Sequence, residues 1–275
     1  MRRRDAAYVL RRVPFRDNSL ILTLFTRNGG VQACMARGAR GRLKGARGAL
    51  AGYHRLTVFL SARRAEALAT LQQAEIDAAR HRLWRDARAG AAAQVMLEQV
   101  WRQVGEGDPH PRLFDDLDMA LARLDAGVDP LTVLAIWQGR LLRALGFGWR
   151  ADRCVGCGAE ASLAFFSLKR NQTVCQSCGA PYADRLLQLD PGAQLLMRNL
   201  PWPLAPEAHA GDDVAPSGIG LAAQNLYDVG ALLLQRHGRR PTRARGLFHD
   251  LLTAPQAAHG RAVLGPVDEE SSHGG

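Results

Sequence analysis

Two pairs of cysteines in the middle of the chain constrain its fold more than any other feature. The segments CVGC and CQSC place Cys154, Cys157, Cys175 and Cys178 as two C-x2-C hooks with seventeen residues between them. This spacing is typical of a zinc ribbon or a related knuckle, in which four thiolates surround one tetrahedral zinc ion. Four buried free thiols, or a pair of labile disulfides, are the alternatives. We predict one structural zinc ion per chain.

The predicted metal site has no free coordination position for a reaction, and the sequence motifs of common enzyme classes are missing. Four protein ligands leave no coordination position for water or substrate. The sequence has no H-E-x-x-H, no zinc-deaminase pattern, no P-loop and no G-x-S-x-G elbow. The segment GIGLAA matches a loose dinucleotide fingerprint but follows a proline-rich loop instead of a strand. We therefore predict that the protein is not an enzyme.

Cysteine usage and hydropathy indicate the compartment. The chain has 5 cysteines, and the one outside the hooks, Cys34, is predicted to lie in a core. So few cysteines fit a reducing cytosol better than a disulfide framework. The start MRRRDAAYVLRR lacks the apolar stretch of a signal peptide, and no run reaches the roughly 20 apolar residues of a membrane span. We expect a cytoplasmic protein with no membrane partner.

Positive charge is concentrated in the first part of the chain. Residues 1–80 hold 16 Lys and Arg against 5 Asp and Glu, whereas the remainder has a net charge of −1. Nearly all the basic residues are Arg, which a GC-rich coding sequence would favour throughout. That bias does not explain the asymmetry, because the later part balances its Arg with acids. A localised basic field predicts a polyanionic partner, above all nucleic acid.

The same basic part has the pattern of a small β-barrel. Segments such as NSLILTLFTR and RLTVFLSA are rich in strand formers, and the turn NGG at 28–30 suits a hairpin. Five short strands separated by turn signals predict a five-stranded OB barrel. The fold class is thus α+β, with an OB-type domain at 1–78.

An acid-free, glycine-rich run interrupts the predicted barrel at Arg37–Gly52. One interpretation is a disordered, solvated turn. The other is a segment that tracks phosphates, because glycine lets the backbone approach a nucleic-acid strand. The predicted nucleic-acid-binding residues, which the family resemblance given below assigns to DNA, are Arg37, Arg40, Arg42, Lys44 and Arg47 in this run, with Arg11, Arg12 and Arg16 before it.

Helical patterns dominate from residue 79 onward. Asp129 and Pro130 have the identities of an N-cap and a first helical residue, as do Asp190 and Pro191. We predict an all-helical domain at 79–252 that contains the zinc module at 150–182. A proline- and glycine-rich loop is expected at 201–218, and a disordered tail at 253–275.

Taken together, these segments resemble the RecO family of bacterial recombination mediators. The stretch YVLRRVPFRDNSLILTLFTRNGGVQACMARGARG is similar to that family's opening, which ends in A-R-G-A-R. The strand TLQQAEI, the C-x2-C pair and a closing helix with RGLFHDLL follow in the expected order. The resemblance covers residues 5 to 252.

The resemblance implies a function and a set of partners. It implies binding to single- and double-stranded DNA, strand annealing, and assistance to RecA loading on DNA covered by single-strand-binding protein. It further implies partnership with RecR, with the acidic C-terminal tail of that binding protein, and a functional link to RecF. Such a protein would be associated with the nucleoid.

Two finer assignments and two rival functions complete the sequence-based picture. Arg140 and Arg143 lie on one apolar helix and are the candidates for binding the acidic tail, although a solvated helix face is the simpler interpretation. Tyr8, Phe15 and Phe25 are candidates for stacking on bases, with the protein core as the alternative.

An RNA-binding or ribosome-associated OB protein with zinc is the alternative function. A zinc-dependent hydrolase is the second rival, and the closed cysteine site argues against it.

Overall fold

The computed structural model describes most of the chain. The described residues are 2–39, 46–50, 52–62, 68–200 and 217–238, together with 246, 248 and 250. The predicted tail at 253–275 and positions 201–216 of the predicted loop lie outside these residues. No helix among the described segments is both long enough and apolar enough to cross a membrane.

Five strand pairings, four antiparallel and one parallel, close a barrel at the start of the chain. Its strands are β1 (Arg2–Phe15), β2 (Ser19–Thr26), β3 (Gly30–Ala36), β4 (Arg55–Ser61) and β5 (Ala69–Ala78). They are hydrogen-bonded in the order β1-β2-β3-β5-β4, and β1 pairs with β4 to complete the ring. The β3–β5 pairing is the parallel one. The five-stranded OB-type barrel predicted from the sequence is confirmed.

Strict alternation along β4 shows how the barrel fills its interior. Leu56, Val58 and Leu60 are buried while their neighbours are half-exposed, as a period of two requires. Cys34 belongs to the same interior cluster and has no exposed surface. Burial raises the pKa of its thiol to about 12, so it is a packing residue, as predicted.

A second set of barrel residues faces the helices instead of the barrel interior. Tyr8 in β1 and Phe25 in β2 are completely buried, and each ring lies 5.5 Å from the ring of Phe114. Of the three predicted stacking candidates, these two therefore hold the barrel against the helical region and are inaccessible to a base. Phe15, the third, is half-buried beneath the guanidinium of Arg16.

The helical region follows the barrel directly. Its larger helices are α3 (Ala87–Gln103), α4 (Pro111–Asp125), α5 (Pro130–Ala144), α7 (Pro191–Asn199) and α8 (Ser217–His237). The short helix α1 (Ala46–Ala49) lies in the connection between β3 and β4. The short helix α2 (Arg82–Arg85) follows β5, just after the barrel. Phe248, in a helical position near the end of the described chain, is fully buried against Tyr227.

Helix α5 occupies the centre of the helical region, as its apolar circumference predicts. The Asp129 carboxylate accepts a hydrogen bond from the Thr132 amide at 2.9 Å, and Pro130 opens the helix, so the predicted cap is present. Helices α5 and α8 pack closely because glycine allows it: a methyl group on Gly230 would lie 2.8 Å from the Gln138 side-chain oxygen.

A small three-stranded sheet is inserted between α5 and α7. It consists of β6 (Phe165–Ser167), β7 (Gln172–Val174) and β8 (Leu187–Gln188), in the order β7-β6-β8. Helix α6 (Gln176–Gly179) and a 3-10 helix (Ala180–Arg185) lie between the last two strands. The third strand extends the inserted module past residue 182.

Candidate metal centre and basic surface

The four cysteines of the two hooks come together in one cluster. Their Sγ atoms all lie within 4.8 Å of one another, and the Sγ atoms of Cys157 and Cys175 are 3.7 Å apart. A tetrahedral zinc ion with Zn–S bonds of about 2.3 Å requires S–S separations of about 3.8 Å. The geometry thus fits a single metal ion held by four thiolates.

Backbone hydrogen bonds shape both hooks around the sulfur atoms. The Gly156 amide donates to the Cys154 Sγ at 3.3 Å, and the Cys178 amide donates to the Cys175 Sγ at 3.5 Å. A methyl group on Gly156 would lie only 3.2 Å from the Cys178 Sγ. Glycine at this position therefore keeps space beside the sulfur atoms open.

The inserted sheet positions the two hooks relative to each other. The Val155 amide donates to the Thr173 carbonyl at 3.0 Å, which ties the first hook to β7, and the second hook begins directly after that strand. Leu163, Phe165 and Val174 pack with Cys154 and Cys175 in a small core of their own. This module is too small to have a large core, so a bound metal would contribute much of its folding free energy.

Four thiolates around one ion define what the centre can do. They fill a tetrahedral coordination shell, so neither water nor a substrate atom can bind the metal without displacing a cysteine. A metal ion held in this way would serve to hold the module together.

The predicted DNA-binding residues divide into described and undescribed ones. Arg11 and Arg12 on β1, Arg16 in the following turn and Arg37 after β3 are all exposed. Arg40, Arg42 and Lys44 lie outside the described residues. Arg47 lies in α1, and its side chain is not among the described ones. The assignment of DNA binding to all eight residues stays a prediction.

Further basic residues of the barrel were not singled out from the sequence. Arg2, Arg3 and Arg4 at the start of β1 are all exposed. Arg3 donates to the Gln32 side chain at 2.8 Å, and the Arg4 guanidinium lies 6.0 Å from the Phe59 ring centre. The run MRRR was visible in the sequence, but only the pairing of β1 with β4 shows that it belongs to the barrel surface.

Arg11 reaches from the barrel to the helical region. Its guanidinium lies 5.2 Å from the Trp101 ring centre, and that of Arg102 lies 5.0 Å from the same ring. Arg102 is in turn paired with Glu98 at 2.6 Å. Cation–π contact of this kind contributes to packing, so Arg11 has a structural contact as well as an exposed side chain.

The two candidates for binding an acidic tail have different surroundings. Arg140 pairs with Asp116 at 2.6 Å, and its guanidinium donates to the Leu200 carbonyl at 2.7 and 3.1 Å. Arg143, one turn later, is exposed. Arg140 therefore links α4, α5 and the end of α7, whereas Arg143 is accessible to a partner.

Comparison with known proteins gives consistent matches along most of the chain. Residues 1–80 match the family model described as Recombination protein O N terminal, and residues 85–203 match Recombination protein O C terminal. The chain is 32% identical over 192 residues to a DNA repair protein RecO of Bacillus pumilus, which covers 69% of this chain and 73% of that protein.

Two further relatives carry the same description. The DNA repair protein RecO of Rhizobium leguminosarum bv. trifolii is 31% identical over 191 residues, or 70% of this chain and 73% of the relative. That of Geobacter metallireducens is 32% identical over 178 residues, or 64% and 72% of the two chains. The two family models together cover the barrel and the helical region as far as α7, whereas α8 lies beyond them.

Proposed function

We propose, because this chain belongs to the RecO family of DNA repair proteins, that it binds single- and double-stranded DNA and anneals complementary strands. In the same role it would assist RecA loading onto DNA covered by single-strand-binding protein. Its partners would be RecR and the acidic tail of that binding protein, with a functional link to RecF, at the nucleoid in the cytoplasm.

The exposed arginines of the barrel are the observation that carries DNA binding. Those on described strands and turns of the barrel are Arg2, Arg3, Arg4, Arg11, Arg12, Arg16 and Arg37. Each guanidinium that neutralises a phosphate releases condensed counterions, which is the main source of sequence-independent affinity. The predicted basic run at 37–52 would add to the same surface.

Annealing by such a surface requires no bond to be made or broken by the protein. Two strands repel each other through their phosphates, and a basic surface that binds both lowers this repulsion. Base pairing then supplies the free energy. We accordingly propose a protein without catalytic turnover.

Zinc is the metal we propose for the four-cysteine cluster. Soft thiolate ligands in a tetrahedral arrangement favour zinc among the metals that proteins commonly hold in structural sites. The proposed ion is structural, one per chain, and bound by Cys154, Cys157, Cys175 and Cys178.

Binding and annealing assays test the proposed function. The protein should bind single-stranded DNA, bind duplex DNA, and accelerate pairing of two complementary strands, measured by fluorescence anisotropy and energy transfer. RNA of the same sequence is the matched control. Clear preference for RNA with no annealing of DNA would favour the alternative of an RNA-binding OB protein.

Two further measurements test the absence of turnover and the partner. ATP hydrolysis or DNA cleavage that co-purifies with the protein and disappears on a point substitution would contradict the absence of turnover.

A peptide with the acidic tail sequence should be retained by the immobilised protein, and Arg143→Glu should weaken retention. Unchanged retention would place the tail elsewhere.

A further inference from the structure

We propose that Tyr53 and Trp84 form a stacking platform for an unpaired nucleobase at the edge of the basic barrel surface. The proposal rests on the DNA binding proposed above and assigns the residues that would contact a base instead of a phosphate. Neither residue was among the stacking candidates identified from the sequence.

Trp84 has an unusual degree of exposure for its type. It is 56% exposed, although its neighbour Leu83 in the same short helix α2 is only 2% exposed. Leu83 thus anchors the helix, and the next side chain is left in water. A tryptophan in this position forgoes the stabilisation that burial of a large apolar side chain provides, which a partner that covers it would restore.

Tyr53 extends the aromatic surface beside Trp84. The two ring centres are 5.5 Å apart with an angle of 46° between the ring planes. Tyr53 is half-buried and packs against the main hydrophobic core, and a methyl group on Gly90 would lie 4.0 Å from its hydroxyl oxygen. The core therefore fixes Tyr53, and Tyr53 in turn supports the exposed indole.

The platform adjoins the end of the basic run. A methyl group on Gly52, the last residue of the run, would lie 3.0 Å from the Trp84 indole nitrogen. The absence of a side chain at Gly52 lets the backbone pass beside the indole. The last residue of the basic run therefore lies beside this pair of rings.

Two arginines, Arg12 and Arg85, lie close to the rings in space or in sequence, while Asp86 and Asp125 lie beside Arg82 and Arg85. Burial raises the pKa of Tyr53, and the nearby charge of Arg12 opposes that shift. Arg85 lies next to Trp84 in α2 and is exposed. Within the described part of the chain, no carboxylate forms an ion pair with Arg12 or Arg85, whereas Arg82 pairs with Asp86 at 3.4 Å. Two exposed guanidinium groups without an ion-pair partner among the described residues are therefore available to phosphates of a strand that stacks a base here.

An unpaired base is the occupant that this combination fits. Every nucleobase has a π face, so stacking on an aromatic side chain tolerates any sequence, while flanking arginines bind the backbone. In duplex DNA the base faces are already stacked on their neighbours. The platform would therefore favour single strands and hold bases only until pairing with a complementary strand displaces them.

A comparison of normal and abasic strands tests the platform. Trp84→Ala should weaken binding to an oligo(dT) strand about ten-fold, whereas affinity for an abasic oligonucleotide of equal length should be unchanged. Trp84→Phe, which keeps a ring, should retain most of the oligo(dT) affinity. Tyr182→Ala is the matched control, because Tyr182 is 58% exposed but lies in the inserted module.

Tryptophan emission provides a second readout. Oligo(dT) should quench the emission of the natural protein, and most of this quenching should disappear in Trp84→Phe. Equal weakening of the affinity for both strands, or no weakening for either, would overturn the platform even if DNA binding itself is intact. Failure of the natural protein to bind either strand would overturn the proposed function and the platform together.

Discussion

The hydroxyl of Tyr8 in β1 donates a 2.6 Å hydrogen bond to the carboxylate of Asp118 in α4, across 110 positions of sequence. Arg80 donates to the same carboxylate at 2.8 Å, and Arg55 of β4 forms an ion pair with it. Burial, followed by the charge and the hydrogen bond of Asp118, raises the pKa of Tyr8, so its phenol remains a donor at neutral pH. One acidic side chain thus joins two barrel strands and the connection after the barrel to the helical region.

Removing the Asp118 carboxylate should weaken the contact between the barrel and the helical region and thereby destabilise the protein. Asp118→Ala should lower the free energy of unfolding by about 2 kcal/mol, because it leaves the partly buried Arg80 without its partner. Tyr8→Phe should cost about 1 kcal/mol. Urea denaturation followed by circular dichroism measures both. Asp77→Ala, which breaks a more exposed pair with Arg55, should cost less than about 1 kcal/mol. Equal effects of Asp118→Ala and Asp77→Ala would contradict the central role of Asp118.

Metal removal should unfold the inserted module. The purified protein should contain about one zinc ion per chain, as measured by elemental analysis, since the four sulfur atoms match one tetrahedral ion. Cys154→Ser should abolish retention of the metal and lower the melting temperature, because structural zinc contributes folding free energy. Cys34→Ala should keep the zinc, as Cys34 lies in the barrel core. A zinc-free natural protein with four reactive thiols would refute this prediction.

Salt dependence should locate the residues that bind phosphates. The triple change of Arg37, Arg40 and Arg42 to Ala should weaken single-strand binding and annealing. The slope of log K against log salt should fall by about 0.7 for each phosphate that the variant no longer neutralises. We expect the melting temperature to change little, as for Arg37, which is exposed, because exposed arginines contribute little to folding.

A matched charge change provides the control for that triple variant. Arg112, Arg150 and Arg185 are exposed residues of the region after the barrel, and changing all three to Ala alters the net charge by the same amount. This control should keep most of the salt slope. An unaltered slope in the first variant would mean that the basic run is a solvated turn and that the DNA surface lies elsewhere.

Two glycines of α8 should respond in opposite ways to alanine. At Gly230 the added methyl group would lie 2.8 Å from the Gln138 side-chain oxygen, so Gly230→Ala should destabilise the protein by about 1–3 kcal/mol through overpacking. Gly220 has open space around it. Gly220→Ala should therefore be neutral or stabilise by up to about 1 kcal/mol through helix propensity. Thermal unfolding of the two variants measures both effects. Equal destabilisation by Gly230→Ala and Gly220→Ala would contradict the prediction.

His54 should make the free energy of unfolding depend on pH in the mildly acidic range. Burial, the nearby ring of His81 and the charge of Arg80 lower its pKa, and Asp125 only partly opposes them. Its Nδ1 accepts a hydrogen bond from the Arg80 amide at 3.0 Å, which requires an unprotonated nitrogen. The pKa of His54 in the native state therefore lies below its value of about 6.5 in the unfolded state. As the pH falls below about 6.5, the unfolded state binds more protons than the native state, and the free energy of unfolding decreases.

Comparison with a variant isolates the contribution of His54 from other titrating groups. Between pH 7.5 and 5, the free energy of unfolding should fall further for the natural protein than for His54→Gln. Parallel pH profiles would show that His54 does not titrate in this range.

The sequence by itself determined the features that depend on short stretches of chain. The C-x2-C spacing predicted each hook, because a tight turn brings its two cysteines together regardless of the remaining fold, whereas the inserted sheet brings the two hooks to each other. The strand formers of RLTVFLSA predicted a strand, since β propensity is a property of the residues themselves. The pair Asp129 and Pro130 marked the start of α5 because a cap acts within one helical turn.

Only the tertiary structure decided which side chains of those elements reach solvent. Tyr8 and Phe25 were candidates for stacking, yet the docking of α4 covers both. Trp84 sits in a four-residue helix whose exposure depends on how the barrel meets the helices. Likewise, Arg140 looked available on its helix until Asp116 and the Leu200 carbonyl were placed beside it. Local patterns fix backbone conformation over a few residues, whereas exposure and pairing depend on contacts between segments far apart in sequence, which no local pattern encodes.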